Sequence, residues 1–350
     1  MTSVAHPELV PLPAGIELED LLRLQSKPQI VDLFTAALMG PLEDFFQRPG
    51  KRVRGSLVEV GFMLAGNSRL PEASPREKRI CEEASCVLEA LHAGSLVVDD
   101  IEDGSRVRRG EATLHLRYGL PIALNAGNFL YFWSLNQISK LGLEPEKELE
   151  IQRLCHGALL RAHLGQALDV GVPINQLPQD RVYATSLASI ELKSGALMAL
   201  AISLGAIIGG ATPERLQLLD RFGHQFGVAL QMFDDLGNLT ADPAIPYEHS
   251  KRFEDLYLNR PSWVWGAAAR NFDEREYRNF VSAVGHLPNE SFLIPWLEIH
   301  DFVTVARSQA REWLDSAIDE LETGLRGETG FESALLRVKD LGKKVAHAYQ

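Results

Sequence analysis

Little in this 350-residue chain speaks for secretion, for a membrane or for a polyanionic partner. Cysteine occurs only three times, as Cys81, Cys86 and Cys155, without the paired spacing of a zinc site or a disulfide framework. Buried free thiols in a reducing compartment are the expectation. Positive charge is short: 35 Lys and Arg stand against 47 Asp and Glu, a net charge of -12. Nucleic acid and anionic lipid both demand a basic surface, so neither is expected as the main partner. No uncharged apolar stretch reaches the roughly 18 residues of a spanning helix. The nearest, Leu197–Gly210, is short and punctuated by glycine, and no integral membrane segment is expected. The start, Met-Thr-Ser-Val-Ala-His-Pro-Glu, has neither a basic n-region nor an apolar h-region. A cytoplasmic protein without a signal peptide is the reading. Strand signals are nearly missing too, since no β-branched alternation is bounded by turn residues.

What is present is helical. The 45% hydrophobic and 23% charged fractions are those of an ordinary globular chain. Residues 1–27, with Pro7, Pro11 and Pro13, read as a poorly ordered extension, and 28–350 as one domain. Periodicity predicts helices over about 30–47, 54–66, 75–103, 120–140, 146–170, 178–189, 190–210, 213–238, 262–270, 274–285, 294–325 and 331–347. Thr212 followed by Pro213 and Glu214 reads as an N-cap, a first-turn proline and a first-turn acid. Several stretches (Leu88–Val98, Ala196–Ile208, Val228–Phe233) are apolar on most faces and must lie inside a large bundle. The fold expected is an all-α single domain.

Two acidic clusters carry chemistry. The first is Asp99-Asp100-Ile101-Glu102-Asp103, closing an apolar helix and followed by Arg106, Arg108 and Arg109. Asp99 and Asp103 share a helix face, with Asp100 beside them. Taken alone, such a cluster is ordinarily a solvated helix end. The second, Asp234-Asp235-Leu236-Gly237-Asn238, repeats the pattern at the end of another apolar helix. Hard oxygen ligands suit Mg²⁺, which is held by few carboxylates together with substrate phosphates. Apolar walls below a metal-bound phosphate describe a pocket for an apolar tail ending in diphosphate.

Over roughly residues 45–270 the chain resembles the trans-isoprenyl diphosphate synthases, the polyprenyl synthase family. The first acidic motif matches together with Ser105, Arg108-Arg109-Gly110 and His115. Gly50-Lys51-Arg52-Val53-Arg54 resembles the family's Gly-Lys-x-x-Arg element. Gly165-Gln166-Ala167-Leu168-Asp169 and Lys193-Ser194-Gly195 resemble its Gly-Gln-x-x-Asp and Lys-Thr elements. The resemblance implies a helical bundle around a central cavity, the isoprenoid synthase type, and head-to-tail prenyl transfer. It implies Mg²⁺, three ions with substrate bound, at Asp99, Asp100, Asp103, Asp234, Asp235 and Asn238. Asp99, Asp103, Lys193 and Asp234 are the implied catalytic residues, with Arg108, Lys193 and Lys251 on the departing pyrophosphate. Isopentenyl diphosphate would sit on Lys51, Arg54, His92 and Arg109; Gln166, Gln231 and Arg260 complete the implied binding set for isopentenyl and allylic diphosphates. A homodimer is also implied.

The chain departs from the family at Asn238, where a third carboxylate is usual, and at Arg260, where lysine is common. An amide can donate oxygen to a metal but brings no charge. Some relatives on this scaffold ionise and cyclise a finished prenyl diphosphate, so a terpene synthase is the alternative. Retention of Lys51, Arg54, His92 and Arg109, needed only for an isopentenyl site, favours elongation. A non-catalytic regulatory subunit is the third reading, disfavoured by the complete first motif.

Ordinary structural roles compete at several positions. His92 on an apolar face could be a satisfied core histidine, and Gln166 and Asp169 could cross-link helices. Lys193 lies in an apolar run, where an unpaired ammonium is costly, so a phosphate partner is expected. Gly94 and Ser95, five and four positions before Asp99, would leave the tail pocket open, whereas Phe129, Tyr131, Phe132 and Trp133 could floor it or simply pack. Products of C15–C20 are the expectation.

Overall fold

A computed structural model describes residues 12–13, 15–23, 30–48, 53–66, 74–240 and 252–347. Helix follows helix. In chain order they are α1 (Gly15–Leu22), α2 (Val31–Phe34), α3 (Gly40–Gln47), α4 (Val53–Leu64), α5 (Pro75–Glu102), α6 (Leu114–Arg117) and α7 (Leu120–Ile138). Then come α8 (Pro145–Gly171), α9 (Gln179–Ile190), α10 (Ala196–Ile208), α11 (Pro213–Thr240), α12 (Glu254–Tyr257) and α13 (Trp263–Asn271). The last four are α14 (Glu274–Val284), α15 (Leu293–Ile299), α16 (Phe302–Gly324) and α17 (Glu332–His347). The only sheet among the described residues is a two-stranded hairpin, β1 (Val107–Arg108) with β2 (Glu111–Ala112).

The helix starts follow from local chemistry. Ser74 and Glu77 form a capping box at α5: the Glu77 N–H donates to the Ser74 hydroxyl oxygen and the Ser74 N–H to the Glu77 carboxylate. Asp273 caps α14 by accepting from the Glu276 N–H at 2.9 Å. The Thr212 hydroxyl accepts from the Arg215 N–H at 3.3 Å, as its place before Pro213 predicts. Within the expected extension, residues 15–22 form α1, which turns Leu18 inward; most of the remaining residues of 1–27 lie outside the described ones.

Two predicted boundaries shift. The helices expected at 178–189 and 190–210 are continuous from Gln179 to Ile208, joined by a π-helical turn, Glu191–Gly195. That helix is long and apolar enough by composition to cross a membrane, but 78% of its apolar window is buried inside the protein. The helix expected over 294–325 breaks at Asp301, whose φ is 45°. On a straight helix, residues six apart would point about 120° from each other. The break lets Trp296 and Phe302 both reach Phe280, with ring centroids 4.9 and 6.3 Å away.

The chain forms two compact units, residues 1–55 with 82–144, and residues 56–81 with 145–350. The core of the first gathers Leu42 and Phe45 from α3, Ala93 and Val97 from α5, and Ala123, Ala126, Leu130 and Trp133 from α7. There α5 and α7 cross at glycines. A Cβ on Gly94 would stand 2.9 Å from the Gly127 carbonyl oxygen and 3.1 Å from the Leu130 Cβ. Gly94 therefore seals a helix crossing, contrary to the expectation that it opens a tail pocket. Phe129 and Trp133 stack at 5.8 Å with Trp133 in this core, while Phe132 is 73% exposed and turned away from it. In the second unit, α11 packs against α10 and α16, and α10 is buried on nearly every face, as its uniform apolarity requires.

Candidate active site

The first unit carries one cluster of the predicted residues at the end of α5. His92, Ser95, Asp99 and Asp103 recur at helical spacing, and Ser95 donates its hydroxyl to the His92 carbonyl at 2.8 Å. Arg54 enters from the start of α4. That start is tied to α5 by the Gly55 N–H donating to Glu89 and the Ser85 hydroxyl donating to the Gly55 carbonyl, each at 3.3 Å. Arg108 and Arg109 come from the hairpin, whose turn residues Arg109 (φ 56°) and Gly110 (φ 85°) are both left-handed, as a tight two-residue hairpin turn demands. Burial, reinforced by the charges of Arg54, Arg109 and Arg108, holds the His92 imidazole well below the ordinary histidine range. The structure therefore brings these three arginines together around a neutral histidine. Lys51 lies outside the described residues.

The carboxylates of the first motif divide. Asp99 and Asp103 are half-buried, whereas Asp100 is 2% exposed. The Nε and Nη2 groups of Arg108 both donate to Asp100 Oδ1, at 2.8 and 2.5 Å. Asp100, expected among the metal donors, instead anchors an arginine, because it points about 100° round the helix from Asp99. Tyr131 stands close by: burial and the carboxylates of Asp99 and Glu102 push its hydroxyl upward.

The second unit carries the other cluster, on α8, the π turn, α11 and the segment around α12. Lys193, on the π turn, meets Asp169 of α8 at 2.8 Å. The partner expected to be phosphate is thus a carboxylate in this structure, one turn beyond Gln166. Gln231, expected to bind substrate, has both ends engaged: its oxygen accepts from Ser194 and its Nε2 donates to Asp235 at 2.8 Å. The other Asp235 oxygen accepts from the Trp263 backbone N–H at 2.6 Å. Buried, Asp235 is held well above the usual carboxylate range, burial being the main cause and Asp255 the next. Like Asp100, it faces inward, leaving half-buried Asp234 as the outward carboxylate of the pair. Asn238 donates its amide to Asp255 at 3.1 Å. Burial and the Asp169 charge push Asp255 up to about 7. Arg260 donates Nη1 to the Asp169 carbonyl at 3.0 Å. Lys251 lies outside the described residues.

Among the described residues, no group of three His, Cys, Asp or Glu side chains could by itself hold a metal ion. A resident metal caged by protein alone does not fit. A hard cation arriving with a diphosphate does, because Asp99 and Asp103 supply oxygen one turn apart and phosphate oxygens fill the remaining positions. Sequence reasoning did not bring out Asp255 as the Asn238 partner, or Arg48 and Asp44 beside the hairpin; those contacts link residues far apart in sequence or lie in an ordinary-looking helix end.

The polyprenyl synthetase family model matches residues 35–291. The chain is 32% identical over 200 residues to the geranylgeranyl diphosphate synthase of Sulfolobus acidocaldarius, covering 56% of this chain and 57% of that one. It is 28% identical over 237 residues to the short chain isoprenyl diphosphate synthase of Methanothermobacter thermautotrophicus, covering 65% and 68%. The fold is similar to the geranylgeranyl pyrophosphate synthase of Corynebacterium glutamicum, solved with isoprenyl diphosphate and magnesium, at a TM-score of 0.74, 21% identity and 95% coverage of both chains.

Proposed function

The chain belongs to the polyprenyl synthetase family, and from that premise we propose that it is a Mg²⁺-dependent trans-prenyltransferase joining an allylic diphosphate to isopentenyl diphosphate. The observation that carries this reading is the gathering of Arg54, Arg108 and Arg109 around neutral His92, beside the outward carboxylates Asp99 and Asp103. An enzyme that only ionised one prenyl diphosphate would have no use for a second diphosphate subsite on Arg54, His92 and Arg109.

Asp99 and Asp103 in the first cluster, and Asp234 in the second, are the donors assigned to Mg²⁺, which when bound draws negative charge off the leaving diphosphate. Arg108, pinned by Asp100, presents a cation to the allylic diphosphate without reorganising. In the second unit, Lys193 is assigned to phosphate, which would take the place of Asp169. His92, kept neutral, offers a hydrogen bond to isopentenyl diphosphate and does not act as an acid. Loss of pyrophosphate leaves an allylic cation that the isopentenyl double bond attacks, and the product then gives up a proton to the departing pyrophosphate. No protein nucleophile is needed.

A C15–C20 product is proposed, and the similarity to geranylgeranyl diphosphate synthases supports the C20 end. Three metal ions, a cytoplasmic location and a homodimer belong to the same reading. Leu160 and Leu164, one turn apart on α8 and 69% and 63% exposed, support association through that helix. The terpene synthase alternative draws on one observation, the Asn238 amide held by Asp255 where a metal-binding carboxylate is usual.

Incubation with Mg²⁺, isopentenyl diphosphate and each allylic diphosphate, with product identification, decides between them. Consumption of isopentenyl diphosphate and a longer prenyl diphosphate are expected. A cyclic hydrocarbon or alcohol formed without isopentenyl diphosphate would reject elongation. Turnover only after a second synthase is added would make the chain a regulatory subunit.

A further inference from the structure

Arg48 closes α3 at a point that the motifs do not touch. It is 6% exposed, and a buried guanidinium costs free energy unless it is paired. Its Nη2 donates to Asp44 Oδ2 at 3.1 Å, one turn back on the same helix. Its Nη1 reaches across to the Arg108 carbonyl at 3.3 Å, while its Nε has no acceptor. Asp44 is itself held from the far side, accepting from Arg117 Nη1 at 3.1 Å. The Arg48 and Arg109 guanidiniums lie over the Phe45 ring, 5.8 and 5.2 Å from its centroid.

The Arg108 carbonyl belongs to the same planar peptide unit as the Arg109 N–H. Fixing that carbonyl fixes the plane from which Arg109 departs, and Arg109 departs from it at a φ of 56°, unusual for a residue with a side chain. Arg108 has a separate anchor for its side chain in Asp100. The two neighbouring arginines are therefore aimed by different devices: Arg108 by a carboxylate on α5, Arg109 by the end of α3.

We propose that Arg48, oriented by Asp44, is a positioning residue that aims Arg109 at isopentenyl diphosphate. This inference rests on the function proposed above. Steady-state kinetics on Arg48→Lys and Arg48→Gln test it. Lysine keeps the Asp44 pair, and with it the fold, but lacks the separate nitrogen branch with which Arg48 reaches the Arg108 carbonyl. Losing a charge-assisted hydrogen bond predicts a rise of about tenfold in the isopentenyl diphosphate KM in both variants. The allylic KM and kcat should stay within about twofold, since neither the Asp100–Arg108 pair nor the metal donors are touched. Equal increases in both KM values, a fall in kcat alone, or an unchanged isopentenyl KM in a folded variant would overturn the proposal. Calorimetric binding of isopentenyl diphosphate without an allylic partner separates the two levels. A wild type that binds it without turnover refutes the functional reading, while the weaker binding of Arg48→Lys still decides the role of Arg48. A wild type that does not bind it refutes both.

Discussion

Asn238 and Asp255 are joined by a single hydrogen bond of 3.1 Å in which the amide donates and the carboxylate accepts. The pair gives the atypical residue of the second motif a definite job. Above about pH 7, where Asp255 is ionised, a carboxylate at position 238 would face it as acceptor to acceptor, with Asp234 and Asp169 also close enough to act on Asp255. The amide relieves that repulsion at the cost of one metal-binding charge.

Asn238→Asp should therefore be less stable without metal and bind metal better. A lost hydrogen bond with an added like charge is worth about 1–3 kcal/mol, or a melting temperature lowered by several degrees in a chelator. Added Mg²⁺ should restore it, and the Mg²⁺ concentration for half-maximal rate should fall. Thermal melts with and without Mg²⁺ check this; melting unchanged in chelator would show that the amide does not relieve repulsion.

Asp99→Asn and Asp100→Asn should separate two roles within one motif. The first removes an outward oxygen charge and should lower kcat about a thousandfold with melting unchanged, several kcal/mol of transition-state stabilisation. The second frees Arg108 from its anchor and should chiefly raise the allylic KM. Kinetics on both variants would show it, and identical phenotypes would contradict the division.

His92 sets a pH dependence. Its folded pKa lies below the usual 6.5, so below that pH the unfolded chain takes up a proton that the folded one refuses. Stability is then intact above about 6.5 and declines as pH falls towards the folded value. His92→Gln should flatten that decline. Denaturant titrations from pH 5 to 7.5 on both proteins measure the slope, and parallel slopes would refute the assignment.

Gly94→Ala addresses the helix crossing. The added methyl meets the Gly127 carbonyl at 2.9 Å, and overpacking of this kind costs about 1–3 kcal/mol. The melting temperature should drop with product length unaltered. A shortened product at unchanged stability would restore Gly94 to the wall of a tail pocket.

Much of this protein is legible in one dimension. The helical periods, the cap at Thr212 and the two acidic clusters each depend on residues within a turn or two of one another. Spacing alone puts Asp99 and Asp103 on one helix face. The sequence could not show the hairpin, because two-residue strands have no period to read, and Arg109 in a left-handed turn carries no glycine signal of its own. It could not show the break at Asp301 either, which serves an aromatic cluster drawn from α13–α16 and the turn after α13.

By itself, then, the sequence determined which residue types stand at which helical phase: an all-α chain, apolar helices ending in oxygen donors, and arginines close behind. Only the tertiary structure decided which of those groups are already engaged. Asp100 is taken by Arg108, Asp235 by Gln231 and Trp263, Lys193 by Asp169 and Asn238 by Asp255. A charge or amide that is wholly or partly buried must find a partner or pay for its lost hydration. For Lys193 and Asn238 that partner lies on a different helix, 24 and 17 residues away, so the pairing follows from how the helices pack and not from the order of residues along them.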